Sequence, residues 1–123
     1  MYVTMLKSKI HRAMVTDADL EYEGSCGIDA DLLEASGIRE HERIEVYNIT
    51  NGERLATYAI RAEPGSGAIT MNGAAAHKAG VGDRVILCAY GMLAEAEAED
   101  HGPAIILVDE ANRIRERRSG AAA

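Results

Sequence analysis

The residues best suited to chemistry stand at Gly24-Ser25-Cys26-Gly27, inside the run YEGSCGIDADL. A serine and a cysteine between two glycines admit three readings. One is the nucleophile elbow of a serine hydrolase, which needs glycine two positions before and two after the serine, at a strand-to-helix turn of a large α/β sheet. Gly27 meets half of that spacing, but Glu23 fills the other position, and 123 residues cannot build such a sheet. A second reading is an ordinary turn using the backbone freedom of glycine. The third sets the serine hydroxyl against the carbonyl that precedes it, where glycine offers no side chain to block the approach and lets the backbone strain. Attack turns the peptide into an ester, and elimination across the serine Cα–Cβ bond cuts the chain. The new N-terminus then hydrolyses to a ketone with loss of ammonia. Such a pyruvoyl group forms a Schiff base with an amino acid and acts as an electron sink, work otherwise left to a bound cofactor. Spacing alone does not choose between turn and scission.

The other reactive side chains are sparse. Cys26 and Cys88 are the two cysteines, and His11, His41, His77 and His101 are scattered, so neither a disulfide framework nor a metal site is expected. Cys26 reads as a small buried residue rather than a nucleophile. A net charge of −7 repels phosphate backbones and argues against nucleic acid as a partner. No apolar run approaches the ~20 residues of a membrane helix. The charged start MYVTMLKSKIHRAM does not resemble a signal peptide, so a cytoplasmic location is expected, with no membrane partner.

These residues need elements to position them. The length predicts one domain over residues 1–123, with Leu, Ile, Val, Met and Ala filling a core that lacks Phe and Trp. Leu6 to Arg12 alternates with a strand's period, placing Leu6, Ser8 and Ile10 on one face and Lys7, Lys9 and His11 on the other. Asp29 is placed to cap a short helix over Asp31 to Ser36 that Gly37 ends. Ile44 to Thr50 and Leu55 to Ile60 are rich in β-branched and aromatic residues and flank Asn51-Gly52, a hairpin signal. Ala68 to Asn72 reads as a strand, Gly73 to Ala79 as one or two helical turns, and Arg84 to Tyr90 and Ala104 to Val108 as strands. Leu93 to Asp100 reads as a solvated connection and residues 110–123 as a flexible tail. Many short strands with brief helical inserts point to a mainly β fold, a compact barrel.

Three blocks in order, MLKSKIHRAMVTDADLEYEGSCGID, YNITNGERLATYAI and NGAAAH followed by VGDRVI, resemble the pyruvoyl-dependent aspartate 1-decarboxylases from Met5 to about Cys88. The resemblance implies a six-stranded double-psi β-barrel with short helices, assembled as a homotetramer, acting on L-aspartate to give β-alanine for pantothenate synthesis. It implies self-cleavage at Gly24-Ser25 into a β chain, 1–24, and an α chain, 25–123. The cofactor would be a pyruvoyl group made from Ser25, without metal or pyridoxal phosphate, and a maturation factor is a possible partner. Lys9 and Arg54 would meet substrate carboxylates, chemistry suited to a compact ammonium and a two-pronged guanidinium. Tyr58 would protonate the carbanion left by carbon dioxide, and tyrosine ordinarily keeps its proton at neutral pH. Thr57 would activate the Gly24 carbonyl; Asn72, Gly73, Ala74 and Ala75 would line the site, with His11 and Tyr22 nearby.

Two positions depart from the family pattern: Tyr47, where many relatives carry Trp, and Lys78, where many carry Cys. Strand parity puts Arg54 and Tyr58 on one face and Thr57 on the other. Thr57 therefore needs either a bulge or the site of a neighbouring subunit. Each residue also has a plainer role: Lys9 and His11 on a solvated face, Tyr58 at the rim of a core, Arg54 in a surface pair with Glu53, Asn72-Gly73 in a turn. The rival functions are a non-processing barrel scaffold and a DNA-binding or adaptor module.

Overall fold

The computed structural model describes residues 1–118. Alternation along the N-terminal segment produces one long strand, β1 (Tyr2–Met14), in which Ser8 and Ile10 turn inward. There follow β2 (Asp17–Asp19), β3 (Ser25–Asp29), α1 (Ala30–Ser36), β4 (Arg43–Asn48), β5 (Arg54–Ala62) and β6 (Ile69–Asn72). A 3₁₀ turn (Gly73–His77), β7 (Arg84–Ala94), α2 (Glu95–Ala98), β8 (Ala104–Val108) and β9 (Ile114–Arg118) complete the described chain. The fold is mainly β, and its strands hydrogen-bond in the order β2-β6-β3-β5-β4-β7-β1-β8-β9.

Three of the pairings, β3 with β5, β1 with β8 and β2 with β6, are parallel. The segment after β1 curls the sheet upon itself: Val15 N–H donates to the Asp83 carbonyl at 2.9 Å and Thr16 N–H to the Ile69 carbonyl at 2.8 Å. Ile10, Ile28, Ile44, Val46, Ile69, Met71, Val85, Leu87 and Ile106 close inside it, and α1 adds Leu32 and Leu33. Aliphatic side chains do the filling that Phe and Trp would do elsewhere.

Helix α1 forms where its caps permit. Asp29 Oδ1 accepts from Asp31 N–H at 2.8 Å, and Gly37, at φ 76°, returns its N–H to Leu33. The Asp29 carboxylate also accepts from Gly65 N–H at 3.0 Å and Gly67 N–H at 2.8 Å, tying β3 and α1 to the loop before β6. Asn112 continues this knot, donating to the carbonyls of Met14 and Gly67 and accepting from Met14 N–H, each at 2.8 Å.

Four sequence expectations change. The Asn51-Gly52 hairpin is present, but its connection is a four-residue loop, closed by Asn48 N–H to the Glu53 carbonyl at 2.8 Å. Only Gly52 there has positive φ, while the Asn48 side chain accepts from Thr50 and Asn51 N–H and supports the turn. Leu93 and Ala94 belong to β7, and α2 follows them. The expected tail is a strand in part: β9 pairs antiparallel with β8, and Asn112 before it is buried. Residues 119–123 of that expected tail lie outside the described residues. The segment from Ser25 to Asp29 is no turn, because β5 and β6 pair with it on both sides.

Candidate active site

Ser25 is the first residue of β3 and is 2% exposed. It stands opposite Asn72, the last residue of β6, whose Nδ2 donates to Ser25 Oγ at 3.0 Å. Asn72 sits at the N-cap of the 3₁₀ turn without capping it, so its amide is spent on the serine instead. Thr70 Oγ1 receives the Gly27 N–H at 3.1 Å and lies 3.4 Å from the same Asn72 Nδ2. A short ladder of side chains on β6 thus fixes the start of β3.

Gly73 explains how the junction is held. Its φ of 66° is left-handed, and a Cβ there would stand 2.9 Å from Gly24 Cα, Gly24 N and the Tyr22 carbonyl oxygen. Only glycine lets the start of the 3₁₀ turn lie this close to residues 22–24. Gly24 is different: a Cβ there meets nothing within 4 Å, and its φ is not positive. Its freedom is therefore used neither in packing nor in a left-handed bend, and what it leaves open is the approach to its own carbonyl.

Beside the junction is a cavity of about 520 Å³ whose walls include Tyr22, Glu23, His41, Tyr58 and Ile60. Parallel pairing of Cys26 with Ala59 sets Ser25 beside Tyr58, a residue 39% exposed. His41 was not anticipated as a site residue. Its φ of 74° is uncommon outside glycine, and its N–H donates to the Ala59 carbonyl at 2.7 Å, next to Ala59 N–H on the Glu42 carbonyl at 3.0 Å. The imidazole faces Tyr58 with ring centres 6.3 Å apart. No local sequence signal marks it, because both its backbone partner, Ala59, and its ring neighbour, Tyr58, come from β5.

The remaining expected residues lie elsewhere. Arg54 leaves the same face of β5 as Tyr58 but about 13 Å along it, at a strand's rise per residue. It stacks on Tyr47, with Cζ 4.7 Å from the ring centre. Thr57 pairs with the fully buried Ile44 in a β4–β5 ladder free of register shifts, so no bulge turns it toward Tyr58. Lys9 pairs with Cys88 on β7, and β1 is three strands beyond β5, about 14 Å round a convex surface. His11 pairs with Leu107, and its Nδ1 is buried without a partner among the described residues. Burial, then the positive charges of Lys9, Arg12, Arg118 and Arg115, lower its pKa from the usual imidazole value. Ala74 and Ala75 follow Gly73 in the 3₁₀ turn. Cys26, fully buried, has its thiol pushed up to about 12 by burial and stays an unreactive filler.

Fold and site together define a small, mainly β protein with a buried serine at a glycyl-seryl junction beside a surface cavity. The aspartate decarboxylase family model matches residues 1–115. The chain is 61% identical over 114 residues to the aspartate 1-decarboxylase of Bordetella avium (strain 197N), covering 93% of each chain. It is 60% identical to that of Thioalkalivibrio sulfidiphilus (strain HL-EbGR7) and 59% identical to that of Pseudomonas aeruginosa (strain LESB58), each over 93% of this chain and 90% of the relative. The chain belongs to the aspartate decarboxylase family.

Proposed function

We propose that this protein removes the α-carboxylate of L-aspartate as carbon dioxide to give β-alanine for pantothenate and coenzyme A synthesis. It does so after cutting itself between Gly24 and Ser25 into chains 1–24 and 25–123. The observation that carries this reading is the double grip on the junction: the Asn72 amide on Ser25 Oγ at 3.0 Å and the bare backbone of Gly73 against Gly24. Donation from Asn72 fixes the direction of the serine oxygen while leaving its own hydrogen free to depart. The open side of Gly24 leaves its carbonyl accessible to that oxygen.

The same residues suit a keto group made from Ser25: a buried position, one amide donor, and a glycine cradle that any Cβ would fill. Such a group would supply an electrophilic carbon for the substrate amine and a sink for the electron pair released with carbon dioxide. The chain's own residues do the rest. Tyr58, beside Ser25 on β5, is placed to hand a proton to the carbon that loses carbon dioxide. Gly73, Ala74 and Ala75 shape the floor, and burial at β3 keeps water from the reacting atoms.

Arg54 and Lys9 lie too far from their own Ser25 for one short amino acid to bridge, and Thr57 faces away. A homotetramer answers this: a neighbouring copy brings its outward-facing Arg54 and Lys9 to the cavity at Gly24-Ser25. The partnerless His11 Nδ1 supports a face that is finished by another copy. The mixed parallel and antiparallel strands around one aliphatic core fit a double-psi barrel, with the shorter strands as additions to its six.

Intact-mass measurement before and after warm incubation tests the reading. Two fragments meeting at 24 and 25 are expected, the larger with a keto cap. Borohydride added with L-aspartate should leave an adduct on the larger fragment alone, and Ser25→Ala should give one uncut, inactive chain. A larger fragment that begins with a free amine, or a full-length chain that persists, overturns it.

A further inference from the structure

Arg54 stands directly opposite Tyr47 in the β4–β5 ladder, with its guanidinium carbon 4.7 Å above the ring. The Tyr47 hydroxyl lies 2.9 Å from that of Tyr90, which reaches across from β7. Thr4, Arg43 and Glu45 join the two tyrosines around a cavity of about 430 Å³. The carboxylate of that cavity is engaged: Glu45 Oε2 is 3.1 Å from Arg43 Nε. Arg54 has no ion-pair partner among the described residues. A charged, half-solvated arginine is thus held by a ring face and by no acid, with the cavity's own acid occupied by a different arginine.

We propose that Tyr47 and Tyr90 are a positioning pair for the reaction, a hydrogen-bonded aromatic clamp that presents the N–H edge of Arg54 to a carboxylate of the incoming amino acid. Stacking uses the face of the guanidinium and leaves its forked edge free, the edge that pairs with a carboxylate through two parallel bonds. An arginine that is already stacked loses less side-chain freedom when the carboxylate arrives, so substrate binding is tighter for the same contacts. A lone exposed tyrosine would swing; the bond to Tyr90 pins Tyr47 from a second strand. Either hydroxyl can donate in that bond, which, with burial next, raises the pKa of the Tyr90 phenol.

The inference rests on the proposed role of Arg54 toward substrate, and the experiment separates the two. Tyr90→Phe and Tyr47→Phe keep both rings and lose the bridge; Tyr47→Leu loses the stack; Tyr47→Trp restores a flat ring; Arg54→Ala removes the cation. Each fully cut enzyme is assayed for KM and kcat with L-aspartate, after intact mass and melting temperature have been checked. Tyr90→Phe and Tyr47→Phe should raise KM roughly threefold to tenfold with kcat within about twofold, the pattern of lost binding rather than lost chemistry. Tyr47→Leu should raise KM further, and Tyr47→Trp should recover most of that rise. If Arg54→Ala raises KM while the Phe and Leu variants match wild type, the clamp is refuted and the role of Arg54 stands. If Arg54→Ala leaves KM unchanged, both fall. Should Tyr47→Leu fail to fold, the two Phe variants decide.

Discussion

Replacing Gly73 with alanine separates backbone conformation from close approach at the junction. At φ 66° any L residue is strained, by about 1–2 kcal/mol. The new methyl would also lie 2.9 Å from three backbone atoms of residues 22–24, where ordinary contact begins at 3.4 Å, so one side must retreat by about half an ångström. No side-chain rotation relieves this, because every opposing atom is main chain. A misplacement of about 1 Å at reacting atoms costs on the order of a hundredfold in rate, so half of that predicts cleavage about tenfold slower. Gly37→Ala is the matched control, with φ 76° and nothing within 4 Å of its Cβ. Urea unfolding in a Ser25→Ala background, which is expected to stay uncut, should show Gly37→Ala destabilised by about 1–2 kcal/mol and Gly73→Ala by more, since its clash adds to the same strain. Denaturing electrophoresis over time, with Ser25 present, should show slow scission for Gly73→Ala and the normal rate for Gly37→Ala. Equal cleavage rates in the two variants would refute the view that Gly73 positions the junction.

Two further outcomes are expected. Tyr58→Phe should still cut itself, since among the described residues no hydrogen bond joins the Tyr58 hydroxyl to the junction, yet lose most of its turnover, by about 10²–10⁴-fold for a general acid; an uncut Tyr58→Phe chain would mean the residue serves maturation instead. Burial tends to raise the Asp29 carboxyl, but the N–H groups of Asp31, Gly67 and Gly65, with help from Arg113, outweigh it and hold the folded pKa below the ordinary 3.8. Its stabilising effect is therefore complete above that ordinary value and is lost as pH falls through the depressed folded one. Asp29→Asn should lose about 1–3 kcal/mol at neutral pH, and urea titrations at descending pH should show the gap from wild type closing below about 4; a gap independent of pH refutes the assignment.

Strong local patterns made some of this architecture legible in the sequence. The β4–β5 hairpin follows from two β-branched runs around Asn51-Gly52, and α1 follows from Asp29 and Gly37, residues that cap in isolation as they do here. Parity along β5 set Thr57 against Tyr58, and the unbroken ladder with β4 keeps it so. What was hidden depends on distant partners. Ser25–Asp29 has no alternation to read, being buried throughout, and becomes a strand only because β5 and β6 flank it. Ile114–Arg118 looks like a solvated tail because a charged edge strand is built to look that way. His41 reaches the cavity through a backbone twist that nothing in its own neighbourhood dictates.

The position of the site follows from the same filling of the core. The sheet packs Ile, Leu, Val and Met side chains inside it, and the cavity at Gly24-Ser25 opens where the buried start of β3 meets the exposed Tyr58 of β5. Among the described residues, that cavity holds no basic side chain close to Ser25 except His41, and charged groups on a convex surface diverge from one another, as Arg54 and Lys9 do from Ser25. On the proposed reading, making the reactive group from the chain itself, at a serine buried beside Asn72 and Gly73, removes the need for a pocket to bind a free cofactor. It does not remove the need to grip the substrate's carboxylates. On the proposed reading, assembly supplies that grip, because cations that diverge on one convex surface converge when a second surface meets it. If that assembly is the proposed tetramer, diluting the enzyme until copies separate should raise KM and lower turnover together, while fragments already cut remain cut.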